Sequence, residues 1–139
     1  MVEDGTEVPG IAALVDLETG ETLGERSAVN PQVALGEDIL ARTHACLAPG
    51  ALAQLQSHAV GCIGRLADEL ARAAGGAAAD VRVAVVAGNT TMAHFLLGLD
   101  PYHLCRAPYV PAANRFPPVR AAEIGIGVNP VAPVHVLAN

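Results

Sequence analysis

The chain has 139 residues, 52% of them hydrophobic, which is enough for one domain with a real core and too apolar for a disordered segment. Eight basic residues against fourteen acidic ones leave a net charge of −6, and every basic residue is an arginine, scattered from Arg26 to Arg120. This excludes the basic patch of a nucleic-acid binder and any P-loop or Schiff-base lysine within the chain, and no apolar run approaches the roughly 18 residues of a membrane helix.

Residues 1–10 are polar and punctuated by Gly and Pro, and Met1-Val2-Glu3-Asp4 is acidic where a secretory signal is basic. Ile11 to Val15 then reads as a strand, Leu17-Glu18-Thr19-Gly20 as a turn and Glu21 to Val29 as a second, half-exposed strand, together a β-hairpin. Asn30-Pro31-Gln32 breaks that strand, because Pro lacks the N–H and restricts its predecessor. Gly36-Glu37-Asp38 predicts the opening of a helix with acids in its first turn, and Ile39, Leu40, Thr43, Cys46 and Leu47 recur at helical spacing. After Pro49-Gly50 a long helix is expected over 51–74, with Leu52, Leu55, Ala59, Ile63, Leu66 and Leu70 on one stripe and Gly75-Gly76 as its stop.

Val81 to Ala87 is β-branched and apolar, the pattern of a strand covered on both faces. Gly88-Asn89-Thr90-Thr91 makes a tight strand-to-helix turn, with Asn89 or Thr90 as N-cap of a helix that Gly98 ends. Pro101, Pro108, Pro111, Pro117 and Pro118 predict a surface loop, and Val134 to Leu137 a last short strand. Strands alternating with helices argue an α/β fold with a mixed sheet.

Cys46, Cys62 and Cys105 form no C-x-x-C pair, so they support neither a disulfide framework nor a metal or cluster loop, and they fit the reduced thiols of a cytoplasmic protein. The strongest local chemistry is the Gly88–Thr91 turn. A glycine turn opening a helix aims backbone N–H groups at one point, where a phosphate can sit; the bland alternative is an ordinary capped turn. Asp16 is either a magnesium-side carboxylate or, as such aspartates usually are, the cap of its own turn. Glu37 and Asp38 point about 100° apart on a helix and do not converge as an acid–base pair. His44 and Cys46 do not share a helix face. His58 and Cys62 do, but two ligands make no metal site, and a buried thiol is the simpler reading. His94 follows the turn by one helical step and is a candidate to look into the same cleft. Arg106 is a candidate anion ligand or a plain exposed side chain, and Ala107-Pro108-Tyr109-Val110-Pro111 presents an aromatic suited to docking a neighbouring domain.

The order of these motifs resembles one family. Leu14-Val15-Asp16-Leu17-Glu18-Thr19-Gly20-Glu21, then Asn30-Pro31-Gln32-Val33 and Gly36-Glu37-Asp38-Ile39, then Gly88-Asn89-Thr90-Thr91-Met92-Ala93-His94-Phe95-Leu96-Leu97-Gly98-Leu99-Asp100-Pro101 and Ala107-Pro108-Tyr109-Val110-Pro111 are similar to the reductive activators of corrinoid proteins, ferredoxin-linked ATPases. The likeness covers residues 11–137. It implies a multidomain parent in which a [2Fe–2S] domain passes an electron to the cobalt of a corrinoid protein. An ATPase-like region of the acetate kinase, sugar kinase, Hsp70 and actin superfamily drives that step. This chain is similar to the first half of the ATPase-like region.

The resemblance implies a ribonuclease H-like fold for residues 11–139, a five-stranded mixed sheet flanked by helices, with the second, C-terminal lobe absent. It places Gly88, Asn89, Thr90 and Thr91 on the phosphate side of an ATP/Mg site. Residues 1–10 stand where the family holds a phosphate loop, and Asp4-Gly5-Thr6 is a degraded copy of it: the glycine is shifted, the hydroxyl run is missing and Glu7 adds negative charge. The resemblance implies a first strand in the middle of the sheet, between the hairpin and the Val81–Ala87 strand; here it is cut to a stub, so either Val2 to Gly10 patches the gap, or another domain or a second copy of the chain does. With no cluster ligands, the chain is expected to be inactive alone. The rival expectation is a non-catalytic, degenerate ribonuclease H-like interaction module; a lobe of a hydantoinase-like or sugar-kinase-like ATPase fits the motifs less well.

Overall fold

The computed structural model describes residues 10–138. Gly10–Val15 (β1) and Thr22–Ala28 (β2) pair antiparallel, in register from Gly10 with Ala28 to Leu14 with Gly24, and the register shifts between Leu14 and Val15. Asp16 shapes the connection: its Oδ1 accepts from the Glu18 and Thr19 N–H groups at 2.8 and 3.0 Å. After β2, Asn30 caps a short 3-10 turn over Pro31–Leu35, accepting from the Gln32 N–H at 3.0 Å. Gln32 is fully buried and its amide donates to the Leu55 carbonyl at 2.9 Å, so the break after the strand is also an anchor.

The first helix, α1, spans Ile39–Ala45. It starts later than Gly36-Glu37-Asp38 suggests, and no acid lies in its first turn. Asp38 is the N-cap instead, with Oδ1 accepting from the Ala41 N–H at 2.7 Å, a short-range bond that an aspartate makes better outside a helix than in it. The long helix α2 spans Ala51–Ala73 and buries Leu55, Leu66 and Leu70. Its end has the expected glycine stop: Gly75 is left-handed, Gly75 N–H reaches Arg72 O and Gly76 N–H reaches Ala71 O.

The strand expected over 81–87 is shorter and later, Ala84–Gly88 (β3), preceded by a 3-10 turn at Ala78–Asp80. Val81 lies outside the strand and still packs on the core, so its apolar character served packing rather than pairing. After β3 comes α3, Thr90–Leu97. Two elements went unread in the stretch before the last strand: β4, Val119–Arg120, and α4, Ala121–Ile124. The last strand, β5, spans Pro133–Ala138; it runs parallel to β3, from Ala84 with Val134 to Gly88 with Ala138, and antiparallel to β4. The core gathers Ala93 and Leu96 of α3, Ala121 of α4, Ile126, and Val134 and Val136 of β5.

The stub of the expected first strand lies outside the described residues, and the five strands within them do not make one continuous sheet. They form two, β1-β2 and the mixed sheet β3-β5-β4. β1 has a strand neighbour on one side only and so has β3, so among the described residues no ladder joins the two sheets. They share α2 instead. A Cβ at Gly24 of β2 would stand 3.3 Å from the Leu70 side chain, while Ala59, Val60, Ile63 and Ala67 pack against the core of the three-stranded sheet. No helix among the described residues is long and apolar enough to cross a membrane.

Candidate functional site

The turn from β3 into α3 is built by local chemistry. Gly88 ends the strand, where a Cβ would stand 3.4 Å from that of Met92. Asn89 is extended at the N-cap and its Oδ1 accepts from the Met92 N–H at 2.9 Å, while its carbonyl accepts from Ala93. Thr90 and Thr91 open the helix half-buried, and Gly98 closes it in the left-handed conformation. The first-turn amides of a helix gather a partial positive charge, and here that pole stands at the carboxyl end of a strand paired in parallel, a place where open α/β sheets bind anionic ligands.

His94 does not face that cleft. It is fully buried, with Nδ1 2.7 Å from the Thr90 carbonyl and Nε2 accepting from the Ala112 N–H at 3.1 Å. The Ala112 donor fixes the tautomer, so the proton sits on Nδ1 and both ring nitrogens are used. Phe116 meets the ring edge-on at 5.8 Å between centroids. His94 therefore pins the proline-rich segment to α3.

Arg42 is the neighbour that sequence reading missed. It is buried, its Nε donates to Gly36 O at 2.8 Å and its Nη2 to Glu37 O at 3.2 Å, and Nη1 approaches the Met92 sulfur at 3.9 Å. Burial lowers its pKa from the usual arginine value. It ties the segment before α1 to the first turn of α3. Gly36 permits the approach, since a Cβ there would lie 2.7 Å from the Arg42 backbone nitrogen.

The other candidates lie apart from this turn. Asp16 caps its own turn, and the Thr19 and Glu18 amides hold its carboxyl below the usual carboxylate range. His58 Nδ1 is 3.1 Å from the Pro31 carbonyl, and Cys62 lies 3.9 Å from Arg65. Burial, and then the charge of Asp100, push the Cys46 thiol up, away from the reactive thiolate. Arg106 stacks over Tyr102 at 4.9 Å, on the lip of a cleft of about 180 Å³ that Leu40, His44 and Leu47 also line. Tyr109 is 69% exposed on the proline-rich segment. Asp4, Gly5 and Thr6 lie outside the described residues. Among the described residues no three His, Cys, Asp or Glu side chains come together as metal ligands, and a [2Fe–2S] cluster does not fit the three separated cysteines.

The chain is similar to known proteins over most of its length. The chain is 26% identical over 121 residues to the corrinoid activation enzyme RamQ of Eubacterium limosum, a match covering 86% of this chain and 20% of that one. Its fold superimposes with a TM-score of 0.89 and 36% identity on a solved reductive activator for corrinoid, iron-sulfur protein, over 93% of this chain and 21% of the other. The chain thus spans about a fifth of the length of these relatives. Residues 5–139 match the family described as the RACo middle region, and the chain belongs to that family.

Proposed function

We propose that the chain is the first half of an ATPase-like, ribonuclease H-like region in a reductive activator of corrinoid proteins, and that its Gly88–Thr91 turn serves the phosphate side of the nucleotide site. The observation that carries this reading is the α3 N-terminus set at the carboxyl end of β3, in a chain whose relatives are named for corrinoid activation. In this reading the first-turn amides and the hydroxyls of Thr90 and Thr91 meet phosphate oxygens, and Asn89 holds the helix end rigid through its own cap. Asp4-Gly5-Thr6 contributes a weakened second contact. Mg·ATP bound to the longer protein would supply the energy for an uphill electron transfer to corrinoid cobalt. The electron carrier and the second lobe belong to other domains, so this chain does no catalysis alone. Its partners are those domains and a corrinoid protein, and its compartment is the cytoplasm.

Calorimetric titration of the folded chain with Mg·ATP tests the reading, with Thr90→Ala as control. Weak binding that the substitution abolishes supports a phosphate-facing turn. No heat at millimolar nucleotide from a chain with native circular dichroism contradicts it. A second reading, a non-catalytic interaction module, is favoured by one observation: Ile11 and Val85 are 72% and 62% exposed on their strands. An absence of nucleotide binding together with stable self-association would select it.

A further inference from the structure

Leu40, Thr43, His44 and Leu47 follow one another at three- and four-residue steps, so they share one side of α1 and of the turn that extends it. None of the four joins the hydrophobic core; they line the cleft of about 180 Å³ that residues 102–106 close from the other side. Thr43 is buried there, its hydroxyl donating to the Ile39 carbonyl at 2.8 Å, and the Cys105 thiol lies 3.8 Å from that hydroxyl. Leu40 and Leu47 stay 62% and 51% exposed. Opposite them the Arg106 guanidinium lies over the Tyr102 ring, with Nη1 3.4 Å from the Tyr102 hydroxyl. Among the described residues no carboxylate pairs with Arg106, and no Asp or Glu lines the cleft. Asp100 is engaged elsewhere: its Oδ1 accepts from the Tyr102 N–H at 2.9 Å, and it lines a separate groove with His103 and Pro108. In a chain of net charge −6, this cleft therefore sets a fixed positive charge beside two exposed leucines.

We infer that the cleft takes the side-chain carboxylate of a glutamate, carried on a docked polypeptide segment in which apolar residues flank that glutamate. Charge complementarity selects the anion. One guanidinium matches one carboxylate, whose two oxygens fit the planar fork that the Tyr102 ring holds in place. The His44 imidazole and the Tyr102 hydroxyl are further donors on the same cleft. Size selects the stem: 180 Å³ is the share of about six liquid waters, room for a carboxylate on two methylenes. The exposed leucines require a larger occupant than a free acid. They stand roughly 10 Å apart along the helix axis, so one short side chain cannot cover both, and a segment running past the carboxylate in each direction can. Binding here requires no nucleotide at the Gly88–Thr91 turn.

The test is an amide NMR titration of the chain with a capped Leu-Ala-Glu-Ala-Leu peptide, run beside its Gln counterpart and beside valerate, a free acid with a similar stem. The expected result is saturable shifts within residues 43–47 and 102–106 on adding the Glu peptide. Affinity should fall at least roughly tenfold for the Gln peptide, and equally for the Glu peptide on Arg106→Gln, because each change removes one partner of a charge-assisted pair. Leu40→Ser should weaken the Glu peptide severalfold while the Val134 and Val136 signals stay in place, showing an intact core. Equal binding of the Glu and Gln peptides, or an unchanged affinity in Arg106→Gln, would overturn the carboxylate. Valerate binding as tightly as the Glu peptide would give the cleft to a free acid and overturn the docked segment. The same shifts appearing with protein concentration alone, beside a dimer mass, would give the cleft to a second copy and overturn the assigned occupant. No saturable shift with the Glu peptide would overturn the proposal outright.

Discussion

The hairpin and the three-stranded sheet solve the same problem with different resources. The three-stranded sheet buries Val134 and Val136 among side chains from α2, α3 and α4, so its strands are held by packing from several directions. The hairpin has its ladder, the Asp16 turn and one face on α2, while Ile11, Val15 and Leu23 stay exposed. An isolated two-stranded ribbon is marginal in water, so the hairpin depends on α2 far more than the three-stranded sheet does. Stability in this chain follows from how many elements share a strand's side chains, and strand pairing alone does not supply it.

That contrast can be broken from the core outward. Phe95 is fully buried in α3, and Phe95→Ala should cost about 3–5 kcal/mol and weaken the whole fold, read as a lower midpoint in denaturant unfolding. His94→Leu leaves the Ala112 N–H without its acceptor and should cost about 2 kcal/mol, with faster proteolysis within residues 102–118 as its local sign. Gly24→Val presses on Leu70 and should cost about 1 kcal/mol, speeding amide exchange in β1 and β2 while leaving β5 unchanged; equal acceleration in β5 would contradict the separation of the two sheets.

Asp16→Ala should have the smallest effect, confined to faster exchange at Glu18 and Thr19. The pH dependence has a definite sign. The Asp16 carboxyl is held below its ordinary value in the fold, so its contribution is present above the ordinary carboxylate pKa and is lost as pH falls through the lowered one. Protection of Glu18 and Thr19 should therefore fade at acid pH in the parent chain and be flat with pH in the variant.

Much of the local structure was legible because it is written locally. The leucine stripe of α2, the glycine stops at Gly75 and Gly98, the Asn89 cap and the Asn30-Pro31-Gln32 break all rest on neighbours within a few residues. What escaped was non-local. β4 is two residues long and exists because β5 pairs with it. Val81 matches a strand pattern yet lies before β3, since only pairing with β5 decides where the strand begins. In the candidate site, the turn at Gly88–Thr91 was readable from its residues. The roles of Arg42 and His94 were not, as their partners at Gly36, Glu37 and Ala112 become visible only in three dimensions.

The most direct measurement is residue-resolved native-state hydrogen exchange on the unmodified chain at a concentration where it is monomeric. The account predicts that Val134 and Val136 exchange only through global unfolding, while the β2-bonded amides of β1 exchange through a smaller opening, roughly tenfold faster or more. Equal opening free energies for β1 and β5 would contradict it, because the hairpin and the three-stranded sheet would then be one cooperative unit.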